Sequence, residues 1–245
     1  MLKVHIMLQA KGGVGKSTCV ALFAQYLKDH LSRPAFCLDT DPSNQTFTAW
    51  GSFGAKHIDI AVDGDLEKAR FDLVVDEMLG SDRDVLVDTG SGGFIPITSY
   101  MAANNLPRVL HRKGRALILH TVIVAGQPYR DTVSAMRFVA ETFQGPPVVV
   151  WLNPINGRID REAFDKEVSI FGLADRMTVV ELPDFGGSQA TTFGRDFSSL
   201  LKDCLTFKEG RAARASETMV ESRFEMMEEE IFAVFDEVFS ATELA

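Results

Sequence analysis

The chain has 245 residues, 46% hydrophobic and 24% charged, with acidic residues outnumbering basic ones 34 to 25 for a formal charge of −9. That length can bury a substantial core, and the composition is that of a globular protein, not a disordered one. The negative balance argues against a protein whose whole surface grips nucleic acid, because phosphate neutralisation needs Lys and Arg in excess.

Along the chain, apolar runs of strand length alternate with longer stretches of helical period. Leu2–Leu8 reads as a first strand, followed by a glycine-rich segment and a helix over Lys16–Leu31. A strand at Ala35–Asp39 comes next, then a weaker one at His57–Val62, a helix at Leu66–Leu79 and a strand at Asp84–Asp88. The second half continues with strand Ala116–Val124, helix Pro128–Phe143, strand Val148–Leu152, helix Arg161–Phe171 and strand Thr178–Leu182. This alternation predicts a mostly parallel twisted sheet with helices on both faces, and the continuous apolar strands suit burial on two sides. A final helix, at about 216–240, carries Val220, Phe224, Met227, Ile231, Val234 and Val238 as one apolar stripe. Glu221, Glu225 and Glu228–Glu230 lie mostly outside that stripe. The helix is expected to pack on the sheet in preference to binding a partner, and its acidic face does not suit a membrane surface. Residues 1–245 read as one domain.

The cysteines, Cys19, Cys37 and Cys204, form no C-x-x-C pair, so neither a disulfide framework nor a thiolate metal site is indicated. Reduced thiols in the cytoplasm are the simplest reading. No apolar run approaches the ~20 residues of a membrane span, and the stretch before Lys11 is too brief for a signal peptide. His5, His30, His57, His111 and His120 have no ligand spacing and read as structural.

The chemistry lies in Lys11-Gly12-Gly13-Val14-Gly15-Lys16-Ser17-Thr18, between the first strand and the first helix. Gly12, Gly13 and Gly15 allow a tight turn that points successive N–H groups at phosphate oxygens, and the helix start adds a dipole that favours anions. Lys16 is placed to neutralise the β- and γ-phosphates, the Ser17 hydroxyl can enter a magnesium shell, and Thr18 can reach the α-phosphate. Ala10 stands where the standard pattern has its first glycine. Further on, Asp39 and Asp41 in Leu38-Asp39-Thr40-Asp41-Pro42 point the same way at a strand end. Asp88 closes the hydrophobic strand Asp84–Asp88, as a magnesium-binding carboxylate does in P-loop proteins, and Thr89-Gly90-Ser91-Gly92-Gly93 follows it. Asn153 ends another strand ahead of Pro154, where it can either start a turn or face a base. Asn153-Pro154-Ile155-Asn156 is not the N-K-x-D of GTPases, so ATP is preferred.

With its extra lysine, Lys11, the loop resembles that of the deviant Walker A ATPases, the P-loop NTPases that include ParA, MinD, the nitrogenase iron protein and the ArsA pump subunit. The resemblance implies a magnesium-dependent ATPase in which two ATP-bound protomers close face to face, with Lys11 reaching the nucleotide of the facing subunit. It also implies that Asp39 supports the magnesium shell and Asp41 orients the attacking water. Asn153 would hydrogen-bond adenine, and Pro183-Asp184 would form a second base-contacting loop. Gln9-Ala10, Cys37–Asn44, Val148–Pro154, Gly194–Ser198 and Leu205–Phe207 resemble a branch of the family that serves plasmid conjugation. That implies a conjugation-associated ATPase with a protein partner in the conjugation machinery, acting as the homodimer that Lys11 implies.

Other uses of the scaffold stay open. A DNA-partitioning ATPase needs a basic face, for which Arg108–Arg115, Arg211 and Arg214 offer material, although such runs are more often solvated surface. DNA is therefore possible but not favoured. A membrane switch would need a basic tail, an iron–sulfur reductase would need seam cysteines, and a small-molecule kinase or synthetase would need an acceptor pocket. None of these has a motif here, and no membrane insertion is expected.

Overall fold

A computed structural model describes residues 1–62, 65–186, 191–242 and 244. Strand β1 (Leu2–Met7) runs through the glycine-rich loop into α1 (Lys16–Gln25), whose end widens into a π-turn at Tyr26–His30. Next come β2 (Phe36–Asp39), β3 (Lys56–His57), β4 (Ala61–Val62), β5 (Asp65–Leu66), α2 (Phe71–Gly80) and β6 (Val85–Asp88). The middle of the chain forms α3 (Phe94–Ala103), α4 (Leu106–Arg112), β7 (Arg115–Val124), α5 (Tyr129–Thr142) and β8 (Val148–Asn153). The remainder forms α6 (Arg161–Ile170), β9 (Met177–Glu181), α7 (Thr192–Lys202), α8 (Phe207–Ala213) and α9 (Thr218–Thr242).

Seven strands make one sheet in the order β3-β2-β6-β1-β7-β8-β9, and every pairing in it is parallel. The chain builds one side of β1 first and the other side afterwards. The loops that follow β1, β2, β6 and β8 therefore emerge at one carboxyl-terminal edge, where open α/β sheets bind ligands. Successive residues of each strand feed opposite cores. Val148, Val150 and Leu152 join the core under α2 to α6, with Phe71, Met101, Met136 and Phe164. Val149 and Trp151 join the core under α1 and α7 to α9, with Phe23, Leu200, Phe207 and Phe235. Helices thus cover both faces, and this is the α/β fold of the P-loop NTPases.

The expected strands appear within one or two residues, except that His57–Val62 divides. Its start pairs with β2 in the main sheet, while β4 and β5 form a separate antiparallel ribbon. Leu66 belongs to that ribbon, so α2 begins only at Phe71, after a turn of 3₁₀ helix at Lys68–Arg70. Helices α3, α4, α7 and α8 are additional to the expected elements.

The last helix packs on the protein as expected, but through a shifted stripe. Phe224, Met227, Ile231, Phe235 and Phe239 are buried, whereas Val220, Val234 and Val238 only flank the core. The rings of Phe235 and Phe239 lie 5.4 and 6.2 Å from that of Trp151, and Phe235 meets Tyr26 edge-on at 5.4 Å. The expected stripe follows a strict seven-residue repeat, but a straight α-helix drifts by ~20° per heptad, so its buried line moves to Phe235 and Phe239. No helix among the described residues is long and apolar enough to cross a membrane.

Two of the histidines form a buried chain. Trp151 Nε1 donates to His120 Nδ1 at 2.9 Å, and His120 Nε2 lies 2.9 Å from His5 Nδ1. Because the indole can only donate, His120 carries its proton on Nε2 and His5 accepts it. His5 Nε2 is buried with no partner.

Candidate nucleotide-binding site

Gly13 and Gly15 adopt φ of 72° and 88°, a left-handed region that side chains rarely tolerate. Helix α1 then starts at Lys16 with no side-chain cap and no acidic residue in its first turn. Its first N–H groups and positive dipole end are left open to an anion. The loop is braced from both sides. Asn153 Nδ2 donates to Val14 O at 2.9 Å, while its Oδ1 accepts from Ile155 N at 3.3 Å. A Cβ on Gly15 would fall 2.3 Å from that Nδ2. On the other side, Gln9 is fully buried, donates to Val122 O at 2.8 Å and to Thr121 Oγ1 at 3.2 Å, and accepts from Lys11 N at 3.2 Å. This bracing role of Gln9 was missed; its one sequence signal is a polar residue directly after an apolar strand.

Lys16 is 8% exposed, and its Nζ donates to Lys11 O at 3.1 Å, so the ammonium curls back over the loop. Burial lowers its pKa, against the opposing pull of Asp88 and Asp41. Asp88 is 1% exposed, and its Oδ1 has no partner. Its carboxyl is pushed up to about 7, first by burial and then by the charges of Asp39 and Asp41, while a hydrogen bond from Ser17 and the charge of Lys16 pull it down. A buried carboxylate oxygen without a partner, beside a serine hydroxyl at the mouth of the loop, suits magnesium. That ion keeps several waters and is commonly held by one or two protein oxygens plus substrate phosphates. Among the described residues no cluster of three or more acidic, His or Cys side chains could hold a metal by itself. The site therefore fits a metal that arrives with phosphate.

Asp39 and Asp41 share the loop after β2. Asp39 accepts from Asp41 N at 3.0 Å through Oδ1, and from Thr48 N at 2.9 Å and Thr48 Oγ1 at 3.1 Å through Oδ2. With both its oxygens engaged, its support for the magnesium shell would be indirect, and Asp88 is the carboxylate with an open oxygen. Asp41 lies against the loop after β6, where a Cβ on Gly90 would fall 2.6 Å from its Cγ. Thr40 Oγ1 donates to Asp88 O at 3.0 Å and Thr89 Oγ1 to Met7 O at 2.5 Å, tying the strand ends together.

Beside Thr18 opens a cavity of ≈ 600 Å³. Asn153, Pro154, Pro183 and Asp184 line it together with the apolar Leu22, Phe197 and Ile231. Asp184 is anchored by Arg158 Nε at 3.3 Å and by Gly186 N at 2.9 Å. Lys11 is the one expected site residue that turns away, its Nζ 3.1 Å from Asp131 Oδ2, with side chains 41% and 64% exposed.

No family model matches the chain. It is similar to a solved plasmid partition protein from Borrelia burgdorferi, at 10% identity and a TM-score of 0.49 over 82% of this chain and 96% of that one. It is also similar to the MinC:MinD cell division protein complex of Aquifex aeolicus, at 14% identity and a TM-score of 0.46 over 87% and 96%. Much closer in sequence is Protein TraL of Escherichia coli, 34% identical over 237 residues that span 96% of this chain and 98% of that protein. A second Escherichia coli Protein TraL is 35% identical over 234 residues, 95% and 97% of the two chains. At that identity over nearly the full length of both proteins, the chain belongs to the TraL family.

Proposed function

We propose that this member of the TraL family is a magnesium-dependent ATP-binding and ATP-hydrolysing dimerisation switch that serves plasmid conjugal transfer in the cytoplasm, with residues 1–245 acting as one domain. The observation that carries this reading is the convergence of an uncapped helix start, the Lys16 ammonium, the Ser17 hydroxyl and the unpartnered buried oxygen of Asp88. In this reading the amides of Gly12 to Ser17 and the Lys16 Nζ bind the phosphates, and Thr18 binds the α-phosphate. Ser17 and Asp88 hold magnesium, with Asp39 fixing the loop behind them. When bound, magnesium would neutralise charge that develops on the β- and γ-phosphate oxygens. Asp41 orients the attacking water, and Asn153, Pro183 and Asp184 face the adenine.

Lys11 is assigned to the facing protomer's nucleotide. Its pair with Asp131 is exposed, and such pairs are worth about 0–1 kcal/mol, so turning outward costs little. A cation supplied in trans is worth ~10³-fold or more in related phosphoryl transfer. Lys11→Ala is therefore expected to bind ATP normally by calorimetry but to turn over at least 100-fold more slowly, whereas Lys16→Ala loses tight binding. Wild-type turnover per molecule should rise with protein concentration; unchanged turnover in Lys11→Ala would remove the sandwich.

A second reading, a DNA-partitioning ATPase, draws on α4. Arg108 and Arg112 on it and Lys113 just after it are exposed, and among the described residues their side chains have no hydrogen bond or ion pair. The rest of the basic material is committed elsewhere. Arg115 is buried and donates to the carbonyls of Leu79, Ser81 and Arg83, Arg211 pairs with Glu228, and Arg214 pairs with Glu217. Salt-sensitive retention of plasmid DNA that disappears in Arg112→Ala/Lys113→Ala would favour partition, and equal retention would dismiss it.

A further inference from the structure

We infer that the outer edge of β9 is a docking site for an extended, basic segment of a partner protein, which joins the sheet as an added strand. β9 ends the seven-stranded sheet. Leu182 N donates to Leu152 O at 3.1 Å, where Leu152 stands opposite Glu181. Alternate residues of a parallel ladder face the same neighbour, so Thr178, Val180 and Leu182 turn to β8 while Val179 and Glu181 turn their N–H and C=O outward. Among the described residues none of those outward groups has a hydrogen-bond partner.

Proteins usually cover or blunt such an edge, because it is a template for another strand. Here α6 and α9 stand over the two faces of the sheet and leave the edge between them open as a trough of ≈ 540 Å³. β9 supplies its floor and α9 one apolar wall, through Val234 and Val238. The five residues of β9 span about 17 Å, enough to pair an extended segment of similar length.

Charge selects the occupant. The trough's arginines are already held, Arg161 by Asp165 at 2.8 Å and Arg158 by Asp184 at 3.3 Å. Glu230 and Glu237 line the same trough, are exposed, and have no ion pair among the described residues. They stand two turns apart on α9, about 10 Å along its axis. An added strand sends every second side chain, about 7 Å apart, towards that wall. Lys or Arg at those positions meets the unpaired carboxylates, and Asp or Glu is repelled.

The test uses the full chain and a capped hexapeptide of alternating Lys and Val, with amide hydrogen exchange read by NMR. Saturating peptide is expected to slow exchange at Val179 and Glu181 at least tenfold and to leave Val180 unchanged. Glu230→Lys/Glu237→Lys, two surface changes, should weaken binding at least tenfold, as should N-methylation of alternate peptide amides. Equal binding of the N-methylated peptide would mean charge attraction without strand pairing and would overturn the inference. So would absent protection, or tight binding of a Glu–Val peptide. Protection of the same two amides without peptide, rising with protein concentration, would assign the edge to a second copy and refute the partner segment.

Discussion

Replacing Gly15 with Ala tests how the glycine-rich loop is held. The residue sits at φ 88°, where a non-glycine side chain costs about 1–2 kcal/mol. Its new methyl would lie 2.3 Å from Asn153 Nδ2, so the amide must leave its bond to Val14 O, worth about 1 kcal/mol. Gly15→Ala should therefore cost about 2–3 kcal/mol, and Asn153→Ala about 1 kcal/mol. In the double variant the collision is gone and only the backbone strain is added. Its cost should fall short of the sum by about 1 kcal/mol, a coupling well outside the ~0.3–0.5 kcal/mol expected of independent sites. Urea unfolding of the four proteins measures the cycle, and ATP calorimetry should show Gly15→Ala weakened at least tenfold. Additive costs would mean that positions 15 and 153 do not meet, and the description of Asn153 as a brace would fail.

Acid should loosen the core through the buried histidines. Burial, chiefly, depresses His5 from 6.5 to about 3 and holds His120 well below its ordinary value. Their stabilisation is complete above pH 6.5 and is lost as the pH falls towards 3, because the unfolded chain takes up the protons first. At pH 4.5 His5 alone should cost about 3 kcal/mol, and His5→Leu should flatten that limb in chemical denaturation run between pH 4.5 and 7. An unchanged slope would mean that His5 is not buried neutral. Removing magnesium with a chelator should abolish most of the rise in Tm that ATP confers on the wild type, and Asp88→Asn should show little rise even with magnesium present. A full rise in Asp88→Asn, seen by scanning calorimetry, would take the metal away from that carboxylate. Phe235→Ala empties a fully buried site against Trp151 and Tyr26 and should cost about 3–5 kcal/mol in urea unfolding, whereas Val234→Ala, at a flanking position, should cost far less.

The residues whose work is local were legible from their order alone. A loop that wraps phosphate needs glycines at fixed offsets, a lysine and a hydroxyl at the helix start, and Lys11–Thr18 states all of these in eight adjacent letters. Strands buried on both faces must be apolar throughout, which made β1, β7 and β8 visible. Resemblance carried Asp41 and Asp88, because Asp88 ends a recognisable strand and Asp41 lies two residues past the end of another. Helices α3 and α4 are not legible in the sequence, since Pro96 and Pro107 interrupt any clear period. What the sequence could not state were pairings between distant residues. Asn153 braces Val14 across 139 positions, Lys11 meets Asp131 across 120, and Trp151 reaches His120 in the neighbouring strand. The face that α9 buries, the strand order that leaves β9 open, and the commitment of Asp39 to its own loop also depend on how completed elements meet. Local backbone geometry is written in neighbouring residues, but the partner of a buried polar group or a helix face is chosen only when the whole chain has closed around it.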